Sequence, residues 1–239
     1  MAFDAALPFW AHRGVDLRHG GPVEQLGLNG EASEAGFKRV RVFARQIYVY
    51  SHAHLLGWTA GAGHATAMYE AMLTHAWQGK TQGWAKTLTP ANKILDATSD
   101  LYDNAFCLFA LGWYYRICPR ADVLEMMVDT MEVINTTLRH PKLGYWHQVP
   151  TSGPRLQNPH MHLLEACLAC FEATGLPIFD DVARDVIMLS RRSFMMRTAQ
   201  LYVSILTMIL PLCLGPKARL LSPAINWNGR GFWPARRNC

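Results

Sequence analysis

Acidic residues are absent from the end of this chain. Residues 197–239 hold Arg197, Lys217, Arg219, Arg230, Arg236 and Arg237 but no Asp or Glu. The formal charge of +5 therefore belongs to the tail; the first 196 residues, with 17 basic and 18 acidic side chains, are close to neutral. Such a balance predicts no nucleic-acid footprint on the body of the protein. Long apolar runs are scarce as well. Leu201–Leu214 is broken by Thr207 and Pro211 and falls short of the roughly 20 residues that a membrane helix needs. The opening MAFDAALPFW has no basic start and no long apolar stretch, so it does not read as a signal peptide. No membrane partner is expected.

Metal and cofactor signals are missing too. Cys167 and Cys170 have Cys-x-x-Cys spacing, but there is no second pair. Those two, with Cys107 and Cys118, stand in apolar helical runs, where Cys packs as a small hydrophobe. Reduced thiols and the absence of a leader predict a cytoplasmic protein. The chain has no glycine-rich phosphate loop, no GxSxG and no HExxH, so nothing in it calls for a cofactor or a metal.

What is present is a helical body. Half of the residues are hydrophobic and eight are Trp, enough for a sizeable core. Helical spacing of apolar residues predicts helices over Phe3–Ala11, Glu34–Leu56, Gly61–Trp77, Leu101–Ile117, Ala121–Leu138, Met161–Ala173 and Ile178–Met195. Gly- and Pro-rich loops over Arg13–Ser33 and His140–Pro159 and a turn or hairpin over Gly79–Ser99 separate them. Clear strand alternation is absent. Short and long connections alternate, as in an array of paired antiparallel helices or an α/α barrel.

Several polar residues interrupt the apolar pattern. Arg45 lies at the edge of its helix's apolar stripe, where a cation needs a partner: a structural ion pair, or the hydroxyls or phosphate of a ligand. Tyr102, Asp103 and Asn104 cluster at a helix start, behind Asp100 as an N-cap. They fit a cap region, or the wall of a cleft. The segment QNPHMHLLEA, residues 157–166, carries Asn158, His160 and His162. Two positions apart, the two His would point in different directions on a helix, a spacing that does not suit two ligands of one metal there, although a loop would allow it. Glu165, three residues after His162, can share its face, and a carboxylate beside an imidazole is a proton-handling unit.

Three ordered segments carry a resemblance. RVRVFARQIYVYSHAHLLGW, DLYDNAFCLFALGWYY and QNPHMHLLEACLACFEATG, together with the opening LPFWAHRGVDLRHGGPVEQL, resemble the N-acylglucosamine 2-epimerase family. The likeness is greatest to its mannose and mannose-6-phosphate isomerase-like branch and covers roughly residues 1–195. It implies an all-α fold, a partial (α/α)6 barrel of about six or seven helices, with a sugar-binding cleft at one end. It implies metal-free aldose–ketose isomerisation or 2-epimerisation through a cis-enediol, acting on a small-molecule sugar or sugar phosphate. Arg45, Tyr102 and Asn158 match substrate-binding positions of the family, and His162 matches an active-site histidine. Asn104 stands where many members have His. The family's main acid/base histidines, one in an HxxEW motif and one near the C-terminus, do not appear in this chain.

The body is thus expected to end near residue 196, with 197–239 an irregular, frame-disrupted tail. Joining the last base of each codon to the first two of the next permits His-Gln-Leu-Glu-Trp across Ala224–Gly229, with Leu and Glu forced. The same shift permits Tyr-Phe-Asp-Asp-Asp-Phe across Ser204–Leu210, with the last Asp forced. Both resemble family segments in the right order. A truncated barrel predicts an inactive product that self-associates through uncovered helix faces. A rival reading is a non-catalytic helical interaction module. A third, a glycosidase with Asp103 and Glu165 as facing carboxylates, has no motif joining the two.

Overall fold

A computed structural model describes residues 2–32 and 35–194; the expected frame-disrupted tail, 197–239, lies outside them. A π-helical turn, Ala2–Ala6, leads into α1, Leu7–Arg13. Six longer helices follow: α2 (Val40–Leu55), α3 (Gly61–Ala76), α4 (Leu101–Ile117), α5 (Ala121–Thr137), α6 (Gln157–Thr174) and α7 (Pro177–Leu189).

The helices form two layers. Helices α2, α4 and α6 lie side by side and run the same way: Arg41 and Asp103 meet at one end, Arg116 and Glu172 at the other. Helix α3 covers the seam between α2 and α4, where Met72 meets Cys107 and Thr66 accepts a hydrogen bond from the Tyr114 hydroxyl. Helix α5 covers the next seam through Met131 against Cys167, and α7 backs α6. The core is continuous through both layers, from Phe43, Ile47 and Tyr50 to Phe179, Val182 and Val186. Each such side chain, once fully buried, contributes about 2 kcal/mol.

Local chemistry explains the helix ends. The Asp100 carboxylate accepts from the backbone N–H of Tyr102 at 2.8 Å and of Asp103 at 3.3 Å, satisfying two free donors at the start of α4. Gly175 ends α6 in the left-handed conformation (φ 69°), which costs glycine nothing. Helix α6 starts at Gln157, four residues before the expected Met161. The sequence pattern places Pro159 in the preceding turn. In a first helical turn the missing proline N–H is one that would have no partner anyway, so the helix absorbs it. Helix α2 starts at Val40 instead of Glu34, because Lys38–Arg39 is taken up by a strand.

The sequence predicts no strands beyond the 79–99 hairpin, yet five short ones occur among the described residues. β1 (Lys38–Arg39), β2 (Thr87–Leu88) and β3 (Ile94–Asp96) form an antiparallel sheet in that order, and β4 (Ser99–Asp100) pairs with β5 (Gln148–Val149). At two or three residues they are too short for alternation to show in the sequence. β1 leads directly into α2, and β4 directly into α4, so they fix where these two helices begin.

A buried lysine ties the 14–23 loop to this sheet. Lys38 Nζ donates to Asp16 Oδ2 at 2.7 Å, Asn92 Oδ1 at 2.9 Å and the Gly20 carbonyl at 3.0 Å. Burial opposes ionisation of Asp16, but Lys38 and the backbone N–H groups of Arg18 and His19 outweigh it and lower the carboxyl to about 2. A carboxyl depressed from 3.8 to about 2 contributes about 2 kcal/mol of stability above pH 4, lost as the pH falls towards 2. Urea melts of Asp16→Asn should show that loss at pH 7 and a flatter dependence on pH between 4 and 2.

Candidate functional site

The N-termini of α2, α4 and α6 lie at one end of the inner layer, beside the strands. Tyr102, in the first turn of α4, is the meeting point. Arg45, on the second turn of α2, donates from Nη2 to the Tyr102 hydroxyl at 3.1 Å. The His162 ring, from α6, meets the Tyr102 ring edge-on with centroids 4.9 Å apart. Phe106 closes the group, 4.8 Å from Tyr102 and 4.6 Å from His162, with the Arg45 guanidinium 4.9 Å over its ring. On the other side of Tyr102 is a cavity of about 290 Å³, lined by Arg41, Asp100, Tyr102, His147, Leu156, Asn158 and Pro159. Contact thus joins Arg45, Tyr102 and His162, and a shared cavity joins Tyr102 to Asn158.

Arg45 has no carboxylate within ion-pair distance among the described residues, and its side chain is exposed. Its partner is a neutral phenol, so the charge remains available to a ligand. His162 Nδ1 lies 3.1 Å from Glu165 Oε2. With Nδ1–H donating to the carboxylate, Nε2 carries the lone pair and is the atom able to take up a proton.

His160 is different. It is fully buried; Nε2 accepts from the Tyr145 backbone N–H at 3.0 Å, and Nδ1 donates to the Leu156 carbonyl at 2.7 Å. Both ring nitrogens are thus used within the fold. Burial lowers its pKa from 6.5, with a smaller opposing effect from the Leu156 carbonyl, and holds the ring neutral. Asn104 is also fully buried: it donates to the Asp100 carbonyl at 2.8 Å and accepts from the Trp84 N–H at 3.3 Å. Asp103 is buried against Arg41, at 2.7 and 3.0 Å, so it does not face Glu165 across a cleft as the glycosidase reading requires.

Sequence reasoning missed Arg41, His147 and Phe106. Phe106 stands four residues after Tyr102, one helical turn on, and that spacing was the available signal. His147 had none: it enters through β5 pairing with β4. Below the site the inner face continues as Tyr48, Phe109, Trp113 and His52, with Tyr48 4.8 Å from Phe109 and His52 4.5 Å from Trp113. Among the described residues, no three His, Cys, Asp or Glu side chains converge as metal ligands, and no helix is long and apolar enough to cross a membrane. The slightly larger cavity, about 310 Å³ between α5 and α7, lies on the outer layer around the Arg139–Asp185 ion pair and holds none of the candidate residues.

The α4–α6 approach that brings Tyr102 to His162 depends on Gly112. A Cβ there would stand 2.9 Å from Cys170 Sγ and 3.3 Å from the Cys170 backbone nitrogen. Gly112→Val should destabilise the fold by about 2–3 kcal/mol, read from denaturant melts.

A sequence profile described as N-acylglucosamine 2-epimerase (GlcNAc 2-epimerase) matches residues 21–203. The chain belongs to the N-acylglucosamine 2-epimerase family. A mannose-6-phosphate isomerase from Rhizobium meliloti (strain 1021) is 34% identical over 183 residues, 75% of this chain and 46% of that protein. Among solved structures, a cellobiose 2-epimerase from Spirochaeta thermophila DSM 6192 superposes with a TM-score of 0.73 at 23% identity, over 79% of this chain and 51% of that one. A D-mannose isomerase gives 0.68 at 21% identity, over 77% and 48%. This member of the epimerase family therefore spans about half the length of the relatives it matches. Its two helical layers are the corresponding part of their helical barrel, the partial barrel that the sequence predicted.

Proposed function

We propose that this chain supplies the first part of a sugar isomerase or epimerase site, built around Tyr102. The observation that carries the reading is the Tyr102 phenol, bonded to an Arg45 that has no carboxylate partner among the described residues, touching His162, and walling a cavity with Asn158. Arg45, Tyr102 and Asn158 hydrogen-bond the oxygens of a mannose-type sugar or its phosphate. The Nε2 of His162 takes or returns a proton, and Glu165 stabilises the imidazolium that forms. The proton next to the carbonyl leaves, a cis-enediol forms, and return to the neighbouring carbon isomerises the sugar. Return to the opposite face epimerises it. The similarity of this chain to a mannose-6-phosphate isomerase and to a D-mannose isomerase supports a mannose-type substrate.

The family's two other acid/base histidines have no counterpart here, so the 239-residue chain alone should turn over no sugar. Phe171, Ile187 and Met188, exposed on α6 and α7, are the faces through which it self-associates. Gel filtration with light scattering should show assemblies larger than a monomer, and Ile187→Glu with Met188→Glu should shrink them. A reading-frame change between the codons for Ser190 and Ser204 accounts for the acid-free tail. An uninterrupted frame through Cys239, matched by the intact mass of the natural protein, would refute that. The binding site is tested by titrating mannose or fructose into labelled protein: shifts at Tyr102, Asn158 and His162 support it, and unchanged spectra at saturating sugar reject it.

A further inference from the structure

Arg41 and Asp103 form the most enclosed ion pair near the site. Asp103 is 0% exposed and Arg41 21%. The guanidinium grips the carboxylate at two points, Nε to Oδ1 at 2.7 Å and Nη2 to Oδ2 at 3.0 Å, while its central carbon lies 4.7 Å over the centre of the Tyr102 ring. The arrangement is costly. Arg41 sits in the first turn of α2, where the helix dipole disfavours a cation. A buried pair of this kind contributes less to stability than apolar residues of the same volume. It gives instead a fixed cation against one face of Tyr102, whose hydroxyl is held by Arg45 and whose ring meets that of His162 edge-to-face.

We propose that Arg41 and Asp103 are positioning residues that fix the Tyr102 ring between Arg45 and His162. Asp103 orients the guanidinium, and the guanidinium sets the tilt of the ring. Both ends of this chain of contacts come from helix first turns, α2 and α4, which the strands β1 and β4 start in place. Lysine cannot replace Arg41, because an ammonium offers neither a fork to the carboxylate nor a plane to the ring. The value of the arrangement to sugar binding rests on Tyr102 being a substrate contact, as proposed above; the clamp itself does not.

The test reads the two parts separately. In the full chain, the ring-proton resonances of His162 report the position of the Tyr102 ring, and Tyr102→Ala gives their value without it. Arg41→Lys and Asp103→Asn should each move the His162 resonances towards that value while amide signals of α3, α5 and α7 stay in place. Mannose affinity, measured on the same samples, should fall about tenfold. Arg41→Gln with Asp103→Asn removes both charges together, so no single buried charge is left unpaired if the single variants fail to fold. His162 resonances at wild-type positions in the folded variants overturn the proposal. So does a double variant that cannot fold, which assigns the pair to folding alone. A wild-type chain that binds no mannose refutes the sugar reading and leaves the resonance test of the clamp standing.

Discussion

Replacing Arg45 with Ala is expected to abolish sugar-induced stabilisation of this chain. Mannose or fructose at a hundred times its dissociation constant should stabilise the wild type by about 2.7 kcal/mol, seen as a rise in melting temperature. The Arg45 guanidinium is exposed, donates to a phenol hydroxyl and lies over the Phe106 ring, without a carboxylate partner among the described residues, so its removal costs the fold about 1 kcal/mol. Arg45→Ala should therefore melt close to the wild type without sugar and show no rise with it. Tyr102→Phe keeps the ring against Phe106 and His162 but removes the acceptor for Arg45 and a donor to the ligand; part of the rise should remain. If Arg45→Ala shows the full wild-type rise, Arg45 has no part in binding.

The two histidines of α6 should separate stability from function. His160→Ala leaves the Tyr145 N–H and the Leu156 carbonyl without their side-chain partner and opens a cavity in the core. A loss of about 3 kcal/mol follows, from one unmet buried donor and the lost packing. His162→Ala removes a ring that is only partly buried, so its cost should stay near 1 kcal/mol while sugar contact is lost. The contribution of His160 to the pH dependence has a definite sign. The pKa of His160 is depressed by burial, so the unfolded chain binds the proton first as the pH falls below 6.5. Stability carried by His160 is complete above that pH and declines below it. His160→Gln should remove part of the acid slope; His52, His64 and His140, whose pKa values burial also depresses, add to it, and Asp103, whose carboxyl burial raises to about 7, opposes it.

The fold was legible where a periodic apolar face was long. Helices α3, α4 and α5 end within about a residue of where spacing and caps place them, Asp100 and Gly175 being plain signals. The starts of α2 and α6 were not legible, for two reasons. β1 exists only because Thr87–Leu88 arrives from fifty residues away to pair with it, and Pro159 is a turn former in one context and a first-turn residue in another. In the site, the divergence of His160 and His162 followed from the 3.6-residue period, and the His162–Glu165 pair from a spacing of three. The alternatives open for Asp103 and Asn104 could be decided only by three-dimensional contact. Both sit in the first turns of a capped helix, yet one is clamped by Arg41 and the other is turned into the core beside Trp84.

The account depends on one site at three helix starts, with Arg45 and His162 in contact with Tyr102 and Asn158 sharing its cavity. Its most direct test is a structure of the chain with bound mannose or fructose, or the equivalent map of sugar-induced shifts in solution. The prediction is sugar electron density, or shifts, at Arg45, Tyr102, Asn158 and His162 and the cavity beside them, with a sugar oxygen within hydrogen-bond reach of the Arg45 guanidinium. Sugar bound in the outer cavity beside Arg139, or nowhere at saturating concentration, would contradict it.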